Sequence, residues 1–290
     1  MGLRILIVLA VLMGVTGINS VTVRPETAST DGSAHPNSVP EMAEETGKKE
    51  VAEVAEEEDV MATGDLNPNH YPAQRAAKVV QHYLNTRYGS PYRLFGLQRV
   101  NSGNAEDVAE SGRKYQLEIS VEEIIGKTTQ KCSAEVLFPR GERQHSAQVQ
   151  APCDELLKIN TAAQEEDLYQ QYKMNQILLS AQYLPDSHGH VEHDMRPLWH
   201  LGIVASSFIM LNESTEDTLF NMAQVANITQ LATENDQIKF DSHVLLHELV
   251  SQEILHWKLQ FTWSPAEGVK VLKMDQLPHC HDCEKPPNTN

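Results

Sequence analysis

The chain is short of positive charge. Its 290 residues carry 23 Lys and Arg against 40 Asp and Glu, a formal net charge of −17. That balance argues against a nucleic-acid binder, which needs a basic footprint to neutralise phosphates. Cysteine is scarce too, and four residues cannot make a disulfide-dense scaffold. Fourteen Pro and fifteen Gly exclude a collagen-like repeat. Beyond the N-terminus no stretch is apolar enough to cross a bilayer.

Catalytic motifs are missing as well. HELVS at His247 to Ser251 lacks the second His of a zinc-protease helix, because Ser251 stands where it must be. The segment also reads as a strand, which sends His247 and Glu248 to opposite faces. Gly126-Lys127-Thr128 resembles the end of a phosphate-binding loop, but Val121 occupies the place of the required first glycine. There is no G-x-S-x-G elbow. This inventory points away from an enzyme and implies no cofactor.

What is present begins with an address. Arg4 precedes an apolar run from Ile5 to Met13, and small or polar residues follow at Gly14, Thr16, Gly17 and Ser20. That layout is a secretory signal peptide over residues 1–17, with Ser20 as a second cleavage choice. The mature protein is therefore expected to be secreted, extracellular and without a membrane span.

Residues 18–70 follow with twelve acids against three bases, −9 of the total charge, and no aromatic residue. Such a stretch cannot bury a core and is expected to be a disordered acidic tail. Its carboxylates are hard oxygen ligands, so one reading is a polyanion for calcium or a calcium mineral surface. The plainer reading is a solvated tail that keeps the protein soluble.

The body contains a duplication. Shifting the chain by 125 residues lays Pro72 on Pro197 and the stripe Ala76, Val79, Val80, Tyr83, Leu84 on Leu201, Val204, Ala205, Phe208, Ile209. The spacing i, i+3, i+4, i+7, i+8 marks one buried helix face in each copy. KYQLEISVEEII (Lys114 to Ile125) falls on KFDSHVLLHELV (Lys239 to Val250) in the same period-2 phase, as half-buried strands require. Ala134, Val136 and Phe138 fall likewise on Leu259, Phe261 and Trp263. Each copy reads as a helix followed by four strands, an α+β arrangement with the helix laid on a curved antiparallel sheet. The expected organisation is a first subdomain over 71–153, a helical connector over 154–196, a second subdomain over 197–278 and a tail over 279–290. Within the connector a helix is predicted over Ala162 to Ala181, packing against both copies.

Four cysteines allow three pairings. Cys132 begins one strand and Cys153 follows the next, so a local disulfide between them is expected. Cys280 and Cys283 could close a short loop, bind metal or pair with another chain. His188, His190 and His193 in the connector, and His279 and His281 near the C-terminus, are the metal-ligating candidates, against the simpler readings of a polar turn and a solvated tail. Two glycan acceptors are intact, Asn212-Glu213-Ser214 and Asn227-Ile228-Thr229, and both are expected to be exposed.

SVEEIIGK (Ser120 to Lys127), AEVLFP (Ala134 to Pro139), STEDT (Ser214 to Thr218) and LLHELVSQEI (Leu245 to Ile254) resemble the latexin family. DSHGH (Asp186 to His190) resembles its tazarotene-induced relatives, and the leader with its acidic tail resembles the eggshell-matrix members. The likeness covers roughly Tyr71 to Pro278. It implies two tandem cystatin-like subdomains joined by a helix, and inhibition of zinc metallocarboxypeptidases of the A/B type. The target would own the zinc, and the inhibitor would cover the mouth of the active-site funnel. No compact family motif assigns contact residues. The loop from Pro185 to Pro197 and the second copy are the expected contact regions. The hairpins Gly126 to Lys131 and Ser251 to His256 lack the Q-x-V-x-G wedge of cysteine-protease inhibitors, which disfavours that activity.

Overall fold

In the computed structural model the described residues are 63–278, apart from 110, 141–145, 176 and 234–235. The signal peptide, almost all of the acidic tail, and His279, Cys280, His281 and Cys283 lie outside them.

The first copy contains β1 (Gly64–Leu66), α1 (Tyr71–Tyr88), β2 (Phe95–Val108), β3 (Gly112–Glu123), β4 (Thr128–Pro139) and β5 (Gln148–Gln150). Two helices follow, α2 (Asp154–Leu157) and α3 (Ala162–Met174). The second copy contains β6 (Ser180–Leu184), α4 (Arg196–Glu213), β7 (Phe220–Gln230), β8 (Ile238–Glu248), β9 (Glu253–Ser264) and β10 (Gly268–Gln276). The strands form two five-stranded antiparallel sheets, ordered β1-β2-β3-β4-β5 and β10-β9-β8-β7-β6. The architecture is α+β, with one long helix against each sheet.

Two details differ from the sequence reading. The helix predicted to reach Ala181 ends at Met174, and Ser180 to Leu184 form a strand instead. Ser180 pairs with Thr229 and Gln182 with Asn227, so this strand satisfies the backbone groups along the edge of β7, which a continued helix would have left unpaired. Similarly, Gly64 to Leu66 lies within the stretch read as acidic tail but pairs with β2, and Leu66 packs against the first core. Each unit is therefore strand, helix and four strands.

The α1 face Ala76, Val79, Val80 and Leu84 is buried against the first sheet, beside Tyr115, Ile119 and Phe138. Leu201, Val204, Ala205 and Ile209 of α4 do the same beside Phe240, Phe261 and Trp263. Tyr83 and Phe208, the aromatic members of the predicted stripes, are only half-buried. In their place α1 buries His82 and Asn85. The Asn85 amide donates to the Phe95 carbonyl at 3.0 Å and accepts the Phe95 N–H at 2.9 Å, which docks the start of β2 on the helix.

The two units meet along α1 and α4. A side chain at Gly89 would come within 2.4 Å of the Asn85 carbonyl oxygen at the end of α1 and 2.8 Å of Val204, so both the helix end and the close approach of the copies favour glycine there. Leu94 crosses from the first unit into the second core, and Leu211 packs against the first. The STEDT turn of the second copy grips the first: the Arg75 guanidinium donates to the Glu216 carbonyl at 3.0 Å, and the Tyr115 hydroxyl donates to the Glu216 carboxylate at 2.9 Å. Arg113 lies 3.5 Å from the same carboxylate. The helices between the sheets divide their packing, Leu156 of α2 entering the first core and Leu168, Tyr169 and Tyr172 of α3 the second.

Candidate functional site

Where the copies and the connector meet, a cleft of about 880 Å³ opens between the β3–β4 hairpin, α3, the loop before α4 and the first turns of α4. Its walls come from well-tied elements. On the hairpin side, the Glu123 carboxylate accepts the N–H groups of Leu94, Ile125 and Gly126 at 3.2, 3.1 and 2.6 Å. Lys127 completes that turn in the left-handed region, φ 55°.

The opposite wall is the loop containing DSHGH. The Asp186 carboxylate accepts the N–H groups of His188 and His190 at 2.9 and 2.8 Å, and the Asp186 carbonyl accepts that of Gly189 at 3.0 Å. Gly189 has φ 79°, a backbone geometry that disfavours any side chain. The His190 and His188 N–H groups hold the Asp186 carboxyl below its usual value. The Gln224 amide of β7 donates to the Pro185 carbonyl at 2.7 Å, tying the loop to the second sheet. An exposed loop anchored at both its tip and its base is ordered before any partner arrives, which lowers the entropic cost of binding.

At the floor, His200 of α4 is buried and its Nδ1 lies 2.5 Å from the Pro91 carbonyl of the first copy. Burial, opposed in part by that hydrogen bond, lowers its pKa, so the ring is neutral and donates through Nδ1. The neighbouring Trp199 indole N–H is buried without a hydrogen-bond partner among the described residues. The cleft is thus mostly apolar, with polar groups arriving from both copies.

The sequence candidates fall as follows. Cys132 and Cys153 are joined in a disulfide. His190 and His193 line the cleft, whereas His188 is not part of its lining and has its ring 6.4 Å from that of His190. Among the described residues, no group of three or more His, Cys, Asp or Glu side chains is placed to hold a metal. Asn212 is exposed in the last turn of α4, where its amide oxygen accepts from Ser146 at 2.7 Å. Asn227 differs from expectation: it is half-buried on the inner strand β7, between Gln182 and His243, and its counterpart in the repeat, Ser102, likewise sits within a strand rather than at a turn. Glu248 is buried in the second hairpin and is occupied with backbone N–H groups. Among the described residues no helix is long and apolar enough to cross a membrane.

Sequence reasoning missed Glu123, Glu216 and His200 as organisers of the junction. A signal for Glu123 was present, since the 125-residue shift lays it on Glu248.

Comparison with known proteins bears on what this junction belongs to. The family model described as Latexin matches residues 66–281, starting inside β1 and taking in both sheets. Human Latexin is 37% identical over 215 residues, spanning 74% of this chain and 97% of that protein. Human retinoic acid receptor responder protein 1 is 32% identical, over 73% of each chain. Ovocalyxin-32 of Gallus gallus is 31% identical, over 76% of this chain and 79% of its own. A crystal structure of mouse fetuin-B overlaps 74% of this chain and 71% of its own at 10% identity, but a TM-score of 0.23 carries no weight. With a match that runs from the first strand through the last and relatives above 30% identity over most of their length, the chain belongs to the latexin family.

Proposed function

We propose that this protein is a secreted inhibitor of zinc metallocarboxypeptidases of the A/B type, and not itself an enzyme. Latexin membership across the whole folded body is the observation that carries this reading. In it, the two units are cystatin-like subdomains, over 71–153 and 197–278 with β1 and β6 added as their edge strands, held together by the α1–α4 contact and the Glu216 grip. The pre-ordered loop from Pro185 to Pro197 and the cleft beside it meet the rim of the target's funnel. Substrate C-termini are then excluded by coverage, and the zinc remains the target's own. Such an interface needs order and complementary shape rather than a nucleophile or base.

The leader over residues 1–17 directs export, and Asn212 and Asn227 are the glycan acceptors of the exported chain. Stoichiometric titration of an A- or B-type carboxypeptidase with residues 18–290 tests the reading. Inhibition saturating at one inhibitor per enzyme is expected. No inhibition across a panel at micromolar protein would sink it.

A second reading rests on the −9 of residues 18–70 and the similarity to Ovocalyxin-32. Here the tail holds the protein on a calcium mineral surface. Calcite adsorption of the mature chain is expected to exceed that of a chain starting at Thr63, and equal adsorption removes the tail's role.

A further inference from the structure

On the solvent face of the second sheet, two histidines from adjacent strands meet. The antiparallel register sets His243 opposite Lys258 and Leu245 opposite His256, which makes the histidines diagonal neighbours on one face. At that spacing long side chains and rings can touch. Here Nε2 of His243 lies 3.2 Å from Nδ1 of His256, with ring centroids 5.2 Å apart and planes at 43°.

We propose that His243 and His256 together form a binding site for a divalent transition-metal ion of the zinc, nickel or copper class. Two imidazole nitrogens on a tetrahedral ion, each about 2.0–2.1 Å from it, stand about 3.3–3.4 Å apart. The pair therefore already has the nitrogen spacing of a chelate, and each ring must turn by about 35° for both lone pairs to converge on a tetrahedral ion instead of facing each other. Both rings sit on rigid, paired strands, which hold the nitrogens together before the ion arrives.

The surroundings favour occupancy. His243 is half-buried, His256 is exposed, and the open face admits water for the remaining coordination positions. Two ligands come from the protein, since no third His, Cys, Asp or Glu joins them among the described residues. Lys258, the nearest cation in register, is engaged by Asp241 at 3.6 Å. The bound ion links β8 to β9, and because it requires the folded register it stabilises the native state.

Thermal unfolding of the full mature chain with excess zinc chloride tests the site, with EDTA as reversal. The midpoint is expected to rise by about 3 °C, as binding worth about 1 kcal/mol gives in a body of this size. His243→Gln and His256→Gln should each lose the rise, while the His188→Gln/His190→Gln/His193→Gln variant keeps it. No rise in the wild type, a rise kept by both single variants, or a rise lost only in the loop variant overturns the proposal. Should either single variant fail to fold, zinc protection against diethylpyrocarbonate is read on the wild type by peptide mass mapping. Protection of His243 and His256 is expected, and equal labelling with and without zinc overturns the site.

Discussion

Glu123 and Glu248, 125 positions apart, hold the two hairpins with the same three backbone contacts. Glu123 accepts the N–H groups of Leu94, Ile125 and Gly126, and Glu248 those of Leu219, Val250 and Ser251, each partner shifted by the same interval. Even the left-handed residues correspond, Lys127 at φ 55° and Gln252 at φ 61°. The repeat is therefore preserved in its hydrogen bonding as well as in its apolar pattern.

Removing one of these carboxylates leaves three partly buried N–H groups without their acceptor. Glu248→Ala is expected to cost about 2–3 kcal/mol, measured by urea denaturation. Burial alone would raise the Glu248 pKa, but the N–H groups of Leu219, Ser251 and Val250 outweigh it and hold the value below 4.5. Its stabilisation is therefore full above that ordinary value and is lost as pH falls through the lower folded value. The alanine variant should show a flatter stability profile in that acid range; a parallel profile refutes the assignment.

His82 works in the opposite chemical sense. Burial, then the Lys78 charge, lowers its pKa from 6.5 to about 3, and neither ring nitrogen has a well-formed hydrogen bond. Below pH 6.5 the unfolded chain takes up a proton that the folded chain refuses, so stability falls as pH drops, by up to about 1.4 kcal/mol per pH unit. His82→Leu should remove that slope. Unfolding midpoints for both proteins at a series of pH values decide it.

The Glu216 grip joins the copies through a largely buried carboxylate, 19% exposed against 4% for Arg113. Burial, and then its hydrogen bond to Glu216, raise the Tyr115 pKa, so the hydroxyl remains a donor across the accessible pH range. Glu216→Gln is expected to cost about 1–2 kcal/mol. A double-mutant cycle with Tyr115→Phe should give a coupling above about 0.5 kcal/mol, and additive effects would show that the contact is incidental.

Reduction of Cys132–Cys153 frees a loop with a sequence separation of 21 and should lower stability by about 3 kcal/mol. Denaturation with and without reductant measures this directly. An unchanged midpoint would show that the reduced, unfolded chain keeps the loop closed.

The duplication, the two helix faces, the strand phases and the Cys132–Cys153 pairing were all legible in the residues. They follow from local periodicity and from an interval that any residue-by-residue shift reveals. Partner choice was not legible. Ser180 to Leu184 became a strand because β7 offered a free edge, and Leu66 joined the first sheet because β2 did. His82 and Trp199 fall outside the predicted stripes because α1 and α4 each face a second neighbour as well as a sheet. The meeting of His243 with His256 depends on a diagonal across two strands, which no spacing along the chain encodes. Periodicity reports which face of an element is buried; only the docked elements determine what that face, and the opposite one, touches.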